Sequence, residues 1–248
     1  MSKATLYSLP GSHPAKTTKA MLEFKGIDYR TIDLLPVLHK PILRAVGFPG
    51  STVPALKFAG EKLQNSVDIG RALDRLVPEP PLLPADADAR KQVLMAEAFG
   101  EAELQHAVRQ ILWNAVRRSP RSIATFLEGS NLPLPPAVAA RTSGPIILGE
   151  YKINDATDEN TRNGLAAMPG WLDRLDAWVE DGVLGGETPN AADFQIAPSV
   201  RLAATLQDLR PFIEPRPIWE VAKRVVPVYA GDVPPTLPQE WLAPLRGD

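Results

Sequence analysis

The sequence predicts an α/β unit in roughly its first third, followed by an all-helical unit. Three observations support this: period-2 strand patterns alternate with helical spacings before residue 78, no convincing strand pattern follows residue 85, and a proline cluster stands between. The chain holds 26 prolines in 248 residues, about 10% where about 5% is usual. Proline neither continues a helix from inside nor donates to a sheet ladder, so these residues punctuate the chain by themselves.

Residues 4–9 form a short β-compatible run closed by the turn signal Pro10-Gly11. Ser12 then suits an N-cap, with Pro14 in the first turn and Ala20, Met21 and Phe24 at helical spacing before the stop at Gly26. Residues 27–34 alternate apolar and polar, which predicts a second strand and hence a βαβ unit with parallel strands. Between Pro36 and Gly50 only one short helix fits, around Ile42 to Val46. Residues 51–58 read as a strand, turning at Ala59-Gly60-Glu61-Lys62 into Leu63-Gln64, and from Ser66 the spacing of Val67, Ile69, Leu73 and Leu76 is helical until Pro78.

The stretch 78–84 has four prolines in seven residues and reads as a stiff linker. The expected domains are residues 1–78, a linker over 79–84, and a helical domain over 85–248. Residues 85–119 lack proline and place Leu104, Val108, Ile111, Leu112 and Ala115 on one face, which predicts a long helix whose Glu97, Glu101 and Glu103 form its solvated side. Ser130 to Pro145 reads as a loop or a short helix. Trp171, Leu172, Leu175, Trp178 and Val179 repeat at helical spacing up to Asp181-Gly182. Asn190-Ala191-Ala192-Asp193 is a capping signal opening a helix through Leu206, with a kink expected at Pro198.

Composition excludes several function classes. With no cysteine, disulfides, thiolate metal sites and Cys nucleophiles are ruled out, so any thiol chemistry must use a ligand's sulfur. Charge is balanced at 27 Lys+Arg against 29 Asp+Glu, which supplies no field for nucleic acid or a membrane surface. The three histidines, 13, 39 and 106, are far apart without acidic partners at metal spacing, so no metal site is expected. Gly182-Val183-Leu184-Gly185-Gly186 lacks the strand and helix that a phosphate loop needs. No apolar signal core or membrane-spanning run is present, and the expectation is a cytoplasmic protein.

Four segments carry a resemblance: Leu6 to Ser12, Phe24 to Tyr29, Thr52-Val53-Pro54-Ala55-Leu56, and Leu63 to Ile69. Together they resemble the thioredoxin-like N-terminal domain of the cytosolic glutathione S-transferases, and Asn190 to Phe194 resembles the capping box of a core helix in that superfamily's helical domain. The resemblance implies a thioredoxin-like α/β domain followed by an all-helical domain that supplies an acceptor pocket. It implies glutathione as co-substrate, a small hydrophobic electrophile as acceptor, a detoxifying transferase and a homodimer, with no metal.

Carried over by position, the resemblance implies that Val53 pairs through its backbone with the cysteinyl part of the thiol, Pro54 being cis. Asn65 and Ser66 become the γ-glutamyl clamp, a role that a helix N-terminus suits independently. Both are also leading helix caps. Lys40 or His39 is placed to reach the glycine carboxylate, with solvated surface charge the plainer reading. Ser12 takes the catalytic position, where a hydroxyl and free amides at a helix N-terminus would stabilise a thiolate. His13, a neutral imidazole able to accept a thiol proton, is its rival. Tyr7 is a second rival, although its register marks it as a sheet-packing residue. Most relatives have Glu or Gln where Asn65 stands, and many have Lys where Thr52 stands, which leaves another cellular thiol, or ligand binding without turnover, open.

Overall fold

A computed structural model describes residues 3–247 apart from 37, 133–137, 139 and 140, so part of the expected Ser130 to Pro145 segment lies outside the described residues. The chain opens with β1 (Ala4–Ser8), α1 (His13–Phe24), β2 (Tyr29–Asp33), α2 (His39–Ala45), β3 (Ala55–Phe58), β4 (Glu61–Gln64) and α3 (Ser66–Leu76). The sheet order is β2-β1-β3-β4. β1 is parallel to β2 with Ser8 opposite Asp33, whereas β3 is antiparallel to β1 and β4, aligning Leu6 with Leu56 and Leu56 with Leu63.

Alternation along the strands divides the apolar residues between two faces. Ala4, Leu6, Leu56 and Phe58 face the main core with Met21 and Leu22 of α1 and Ile69 and Leu73 of α3. Tyr7 and Ala55 join Leu34, Leu43 and Phe48 in a smaller core on the opposite face. The second strand and the expected Ile42 helix are present with shifted ends, and α2 begins three residues earlier at His39.

The rest of the described chain is mostly helical. It runs through α4 (Ala87–Phe99), a π turn (Gly100–Leu104), α5 (Gln105–Arg118), a 3₁₀ segment (Pro120–Leu127), α6 (Gly144–Ile153), α7 (Asp158–Glu180) and α8 (Ala191–Ala203). α9 (Arg210–Ile213), α10 (Pro217–Val225), a second 3₁₀ segment (Gln239–Leu242) and α11 (Ala243–Arg246) complete it. No named strand follows Gln64 among the described residues. Three expectations need correction. The helix over 85–119 is interrupted by the π turn, where Gly100 lies so close to α8 that a Cβ would stand 2.8 Å from Ile196 Cγ1. The helix read from Trp171 begins at Asp158, because Pro169 sits inside α7 and not at its boundary. Glu97 is buried and ion-paired with Arg71, so it is not part of a solvated face.

α8 is the central helix, and all of its residues except Arg201 are buried. Its start is fixed by the capping box seen in the sequence: Asn190 Oδ1 accepts from the Ala192 amide at 2.9 Å, and Asp193 Oδ2 accepts from the Asn190 amide at 2.9 Å. The second Asp193 oxygen accepts from the Gly185 amide at 2.8 Å, so the glycine-rich turn dismissed as a phosphate loop closes the α8 cap.

The proline-rich connection is pinned at both ends of its path. Lys25 has no exposed side-chain surface and donates to Val77 O at 2.7 Å and Pro80 O at 2.8 Å, while its Nζ lies 2.8 Å from Asp74 Oδ1. Leu82, fully buried, donates its amide to Asp74 Oδ1 and accepts from the Ala191 amide at 2.8 Å. All three ammonium protons are used. Replacing Lys25 by Met leaves Asp74 with the Leu82 amide but no counter-charge and removes the ammonium donor from two carbonyls, and removing one member of a buried pair costs about 3–5 kcal/mol. A Lys25→Met variant is expected to unfold at markedly lower urea with an unchanged slope. An unchanged midpoint in equilibrium urea unfolding would show that the linker is held by packing alone.

Candidate functional site

The C-terminal ends of β1 and β2 and the start of β3 converge on one end of the sheet, and the turn Leu9-Pro10-Gly11-Ser12 emerges there. Ser12 is the N-cap of α1: its amide donates to Leu9 O at 3.0 Å and its Oγ accepts from the Ala15 amide at 3.4 Å. A cavity of about 110 Å³ opens beside it, walled by Ser8, Ser12, Lys16, Asp33, Phe126 and Glu128 among others. The C-terminal region straps this turn down. Tyr229 donates its hydroxyl to Gly11 O at 2.7 Å, and Gly231, at φ 135°, lies where a Cβ would be 2.4 Å from the Phe126 ring. Burial pushes the Tyr229 hydroxyl pKa far up, which keeps it a neutral donor.

Across β1 from this cavity stands Val53. The Val53–Pro54 bond is cis, and Val53 lies ahead of the ladder, which begins at Ala55. Gln64 braces the approach to it, accepting from the Gly50 amide at 2.7 Å and donating to Thr52 O at 2.9 Å. Lys40 is exposed near the start of α2, and its neighbour His39 is buried with Nδ1 unpartnered and its pKa lowered by burial and by Lys40.

Asn65 and Ser66 open α3 beside this edge. Asn65, at φ 70°, caps the helix by accepting from the Val67 amide at 2.8 Å, and its amide group donates to Glu101 at 2.9 Å. Ser66 is buried and donates to Gln195 Oε1 of α8 at 3.0 Å. Both are therefore helix-terminal residues engaged with the helical half.

The structure separates the three catalytic candidates. Ser12 reaches the cavity. Tyr7 is buried in the smaller core, edge-on to Phe48 with ring centroids 5.4 Å apart. His13 is 3% exposed, with Nδ1 3.0 Å from Ser199 Oγ of α8 and Nε2 unpartnered. Burial, aided by the Arg109 charge, holds its pKa well below the usual imidazole value. Lys16 was missed in the sequence, although it lies four residues beyond Ser12, the spacing that places two helical side chains on one face. Phe126 and Tyr229 belong to segments with no recognisable pattern. Among the described residues no group of three or more His, Asp or Glu is placed to share a metal ion, and no helix is long and apolar enough to cross a membrane.

Residues 6–81 match the sequence profile of the glutathione S-transferase N-terminal domain. The whole chain shares its fold with a glutathione S-transferase from Sinorhizobium meliloti 1021, at 15% identity over 100% of this chain and 93% of that one, with a TM-score of 0.62. A glutathione S-transferase from Rhodospirillum rubrum F11 is similar at 18% identity over 99% and 88% of the two chains, TM-score 0.56. A glutathione transferase homolog from Sulfitobacter, solved with bound glutathione, is similar at 17% identity over 82% and 83%, TM-score 0.54. No curated protein sequence matches. The chain therefore has the glutathione S-transferase fold, a thioredoxin-like N-terminal sheet followed by a mostly helical region.

The burial of His13 makes stability depend on pH. An unfolded histidine titrates near 6.5, whereas the folded site holds the ring neutral to lower pH. As pH falls below about 6.5 the unfolded chain takes up a proton that the folded one refuses. The stability present above that pH is lost at up to about 1.4 kcal/mol per pH unit. His39 acts in the same sense, so the test compares wild type with His13→Gln in urea unfolding between pH 7 and 5. The variant is expected to show the shallower pH slope, and parallel slopes would refute the assignment.

Proposed function

We propose that this protein binds a low-molecular-weight thiol, glutathione by its fold relation, and activates it for attack on a small hydrophobic electrophile. The observation that carries this reading is the position of Ser12, N-cap of α1, with its hydroxyl on the cavity wall and Val53 across β1. A sulfur bound along Val53 would meet the Ser12 hydroxyl and the first amides of α1, which favour its anion. Pro54, Asn65 and Ser66 complete the thiol site in this reading, and Lys40 is the nearest candidate for the glycine carboxylate. We take the site of action as cytoplasmic, the role as detoxification and the assembly as a homodimer. The exposed Leu94 and Met95 of α4 offer apolar surface to a second copy. Residues 1–78 would be the thiol-binding domain and 85–248 the acceptor-binding domain, joined over 79–84.

One observation favours a second reading, a thiol or apolar-ligand binding protein without turnover: the Ser66 hydroxyl is already committed to Gln195 and is buried. The two readings separate by assay. Ser12→Ala is expected to raise the bound thiol's pKa by one to two units, about 1.4–2.7 kcal/mol, and to lower turnover of an aryl halide at pH 7 by roughly 10- to 100-fold. His13→Gln and Tyr7→Phe are the controls. Full activity in Ser12→Ala beside loss in a control would move the catalytic role, and thiol binding without turnover in the wild type would favour the second reading. Ser66→Ala is expected to weaken glutathione binding, measured by isothermal titration, by about 1.5–3 kcal/mol. Undiminished affinity in a folded variant would place the γ-glutamyl carboxylate elsewhere.

A further inference from the structure

The cavity beside Ser12 is lined by two lysines that the thiol site does not use, Lys16 and Lys19. Lys16 lines it with its Nζ 5.6 Å from the Tyr229 ring centroid, and no carboxylate lies within ion-pairing distance among the described residues. Its neighbours by charge are Lys19, which repels it, and Asp33 and Glu23, which attract it. Asp33 is already engaged, accepting from the Asn131 amide at 2.8 Å, and Lys19 leans to Glu23 at 4.0 Å. Burial and Lys19 together lower the Lys16 pKa, outweighing the attraction of Asp33 and Glu23.

Sheet order places this cation on the acceptor side. Val53 precedes β3 on one flank of β1, whereas Asp33 ends β2 on the other, and Ser12 sits between them. The remaining wall combines the hydroxyls of Ser8 and Ser12 with the apolar surfaces of Leu6, Leu9 and Phe126. We propose that this cavity selects acceptor substrates that carry one carboxylate on an apolar or aromatic body, with Lys16 as the counter-cation. Lys19 shares the wall but leans to Glu23 at 4.0 Å, and the carboxylates of Asp33 and Glu128 on the same wall disfavour a multiply charged anion. A single carboxylate gains a charge-assisted hydrogen bond from the ammonium while its body covers the apolar wall. The inference rests on the transferase reading for its chemistry, in which the thiolate sulfur forms a bond to the aryl carbon and chloride leaves with the bonding pair. The binding selectivity does not depend on turnover.

The test has a binding arm and a kinetic arm. Without thiol, calorimetry compares 4-nitrobenzoate with its methyl ester. Wild type is expected to bind the acid about tenfold tighter, Lys16→Met to lose that preference, and Lys16→Arg to retain it. With saturating glutathione, the kcat/KM ratio of 4-chloro-3-nitrobenzoate to its methyl ester is expected to fall about tenfold in Lys16→Met and to recover in Lys16→Arg. Circular dichroism checks that each variant is folded, and Lys16→Gln serves as a second neutral variant. Absence of an acid preference in wild type, or its survival in both neutral variants, overturns the proposal. So does a loss confined to glutathione affinity, which would assign the ammonium to the thiol. A Lys16-dependent acid preference without thiol-dependent turnover upholds this site and defeats the transferase reading. Turnover without the preference does the reverse.

Discussion

A lysine with no exposed side-chain surface ties the sheet-bearing half of this protein to the linker and, through Leu82, to the helical half. Lys25 closes the end of α1 onto the end of α3 and the linker at once, through Asp74, Val77 and Pro80. The same Asp74 oxygen fixes the Leu82 amide, and the Leu82 carbonyl takes the first amide of α8. A buried ammonium is tolerated only when each proton finds an acceptor, so the arrangement admits little variation. Leu82 is thereby seated in the core that runs through both the sheet and the helices, and the register of α8 against the sheet is set from this point.

That register determines the polar architecture of the site. The N-termini of α1 and α3, the two places where free backbone amides can receive an anion, each touch α8. His13 meets Ser199 and Ser66 meets Gln195, four residues apart on one face of the same helix. Ser12, one residue before His13, is turned the other way and remains at the cavity. A shift of α8 would act on the start of α3 and on the first turn of α1 together, so the helical half reaches both helix N-termini.

The α/β half was legible because its elements are short and most end near a proline or glycine: Pro10-Gly11 stops β1, Gly26 stops α1, and Pro78 follows α3. Their order could be read without any long-range contact. Helix boundaries failed where the same punctuation was misleading. Pro169 lies inside a helix that tertiary packing holds, and the π turn at Gly100 follows from the approach of α8, which local spacing does not encode. Glu97 was misplaced for a related reason, since its partner Arg71 comes from a different element. In the site, Ser12 was legible as a cap, but the burial of His13 and Ser66 depends on a helix about 130–190 residues away. Lys16 carried a local signal in its spacing from Ser12. Its significance came from the segments containing Phe126 and Tyr229, which have no pattern of their own.

The commitment of Ser66 to Gln195 bears on how a carboxylate could be held at the start of α3, as the proposed function requires. The hydroxyl now makes a neutral hydrogen bond, worth about 0.5–1.5 kcal/mol net, whereas a bond to a carboxylate contributes about 1.5–3 kcal/mol. Exchange is therefore favourable for the serine taken alone. The cost falls on Gln195, which is 2% exposed and would keep an unsatisfied carbonyl of a kind that costs about 1–3 kcal/mol. Its amide group already points to Gln105 Oε1 at a long 3.4 Å. A flip of the Gln195 amide, with matching rotation of Gln105, would give the freed oxygen a donor while Ser66 turns to the ligand. Both glutamines belong to the helical half, and Gln105 is the first residue after the π turn. A ligand that took the Ser66 hydroxyl would thus be felt through Gln195 at the junction of the π turn and α5.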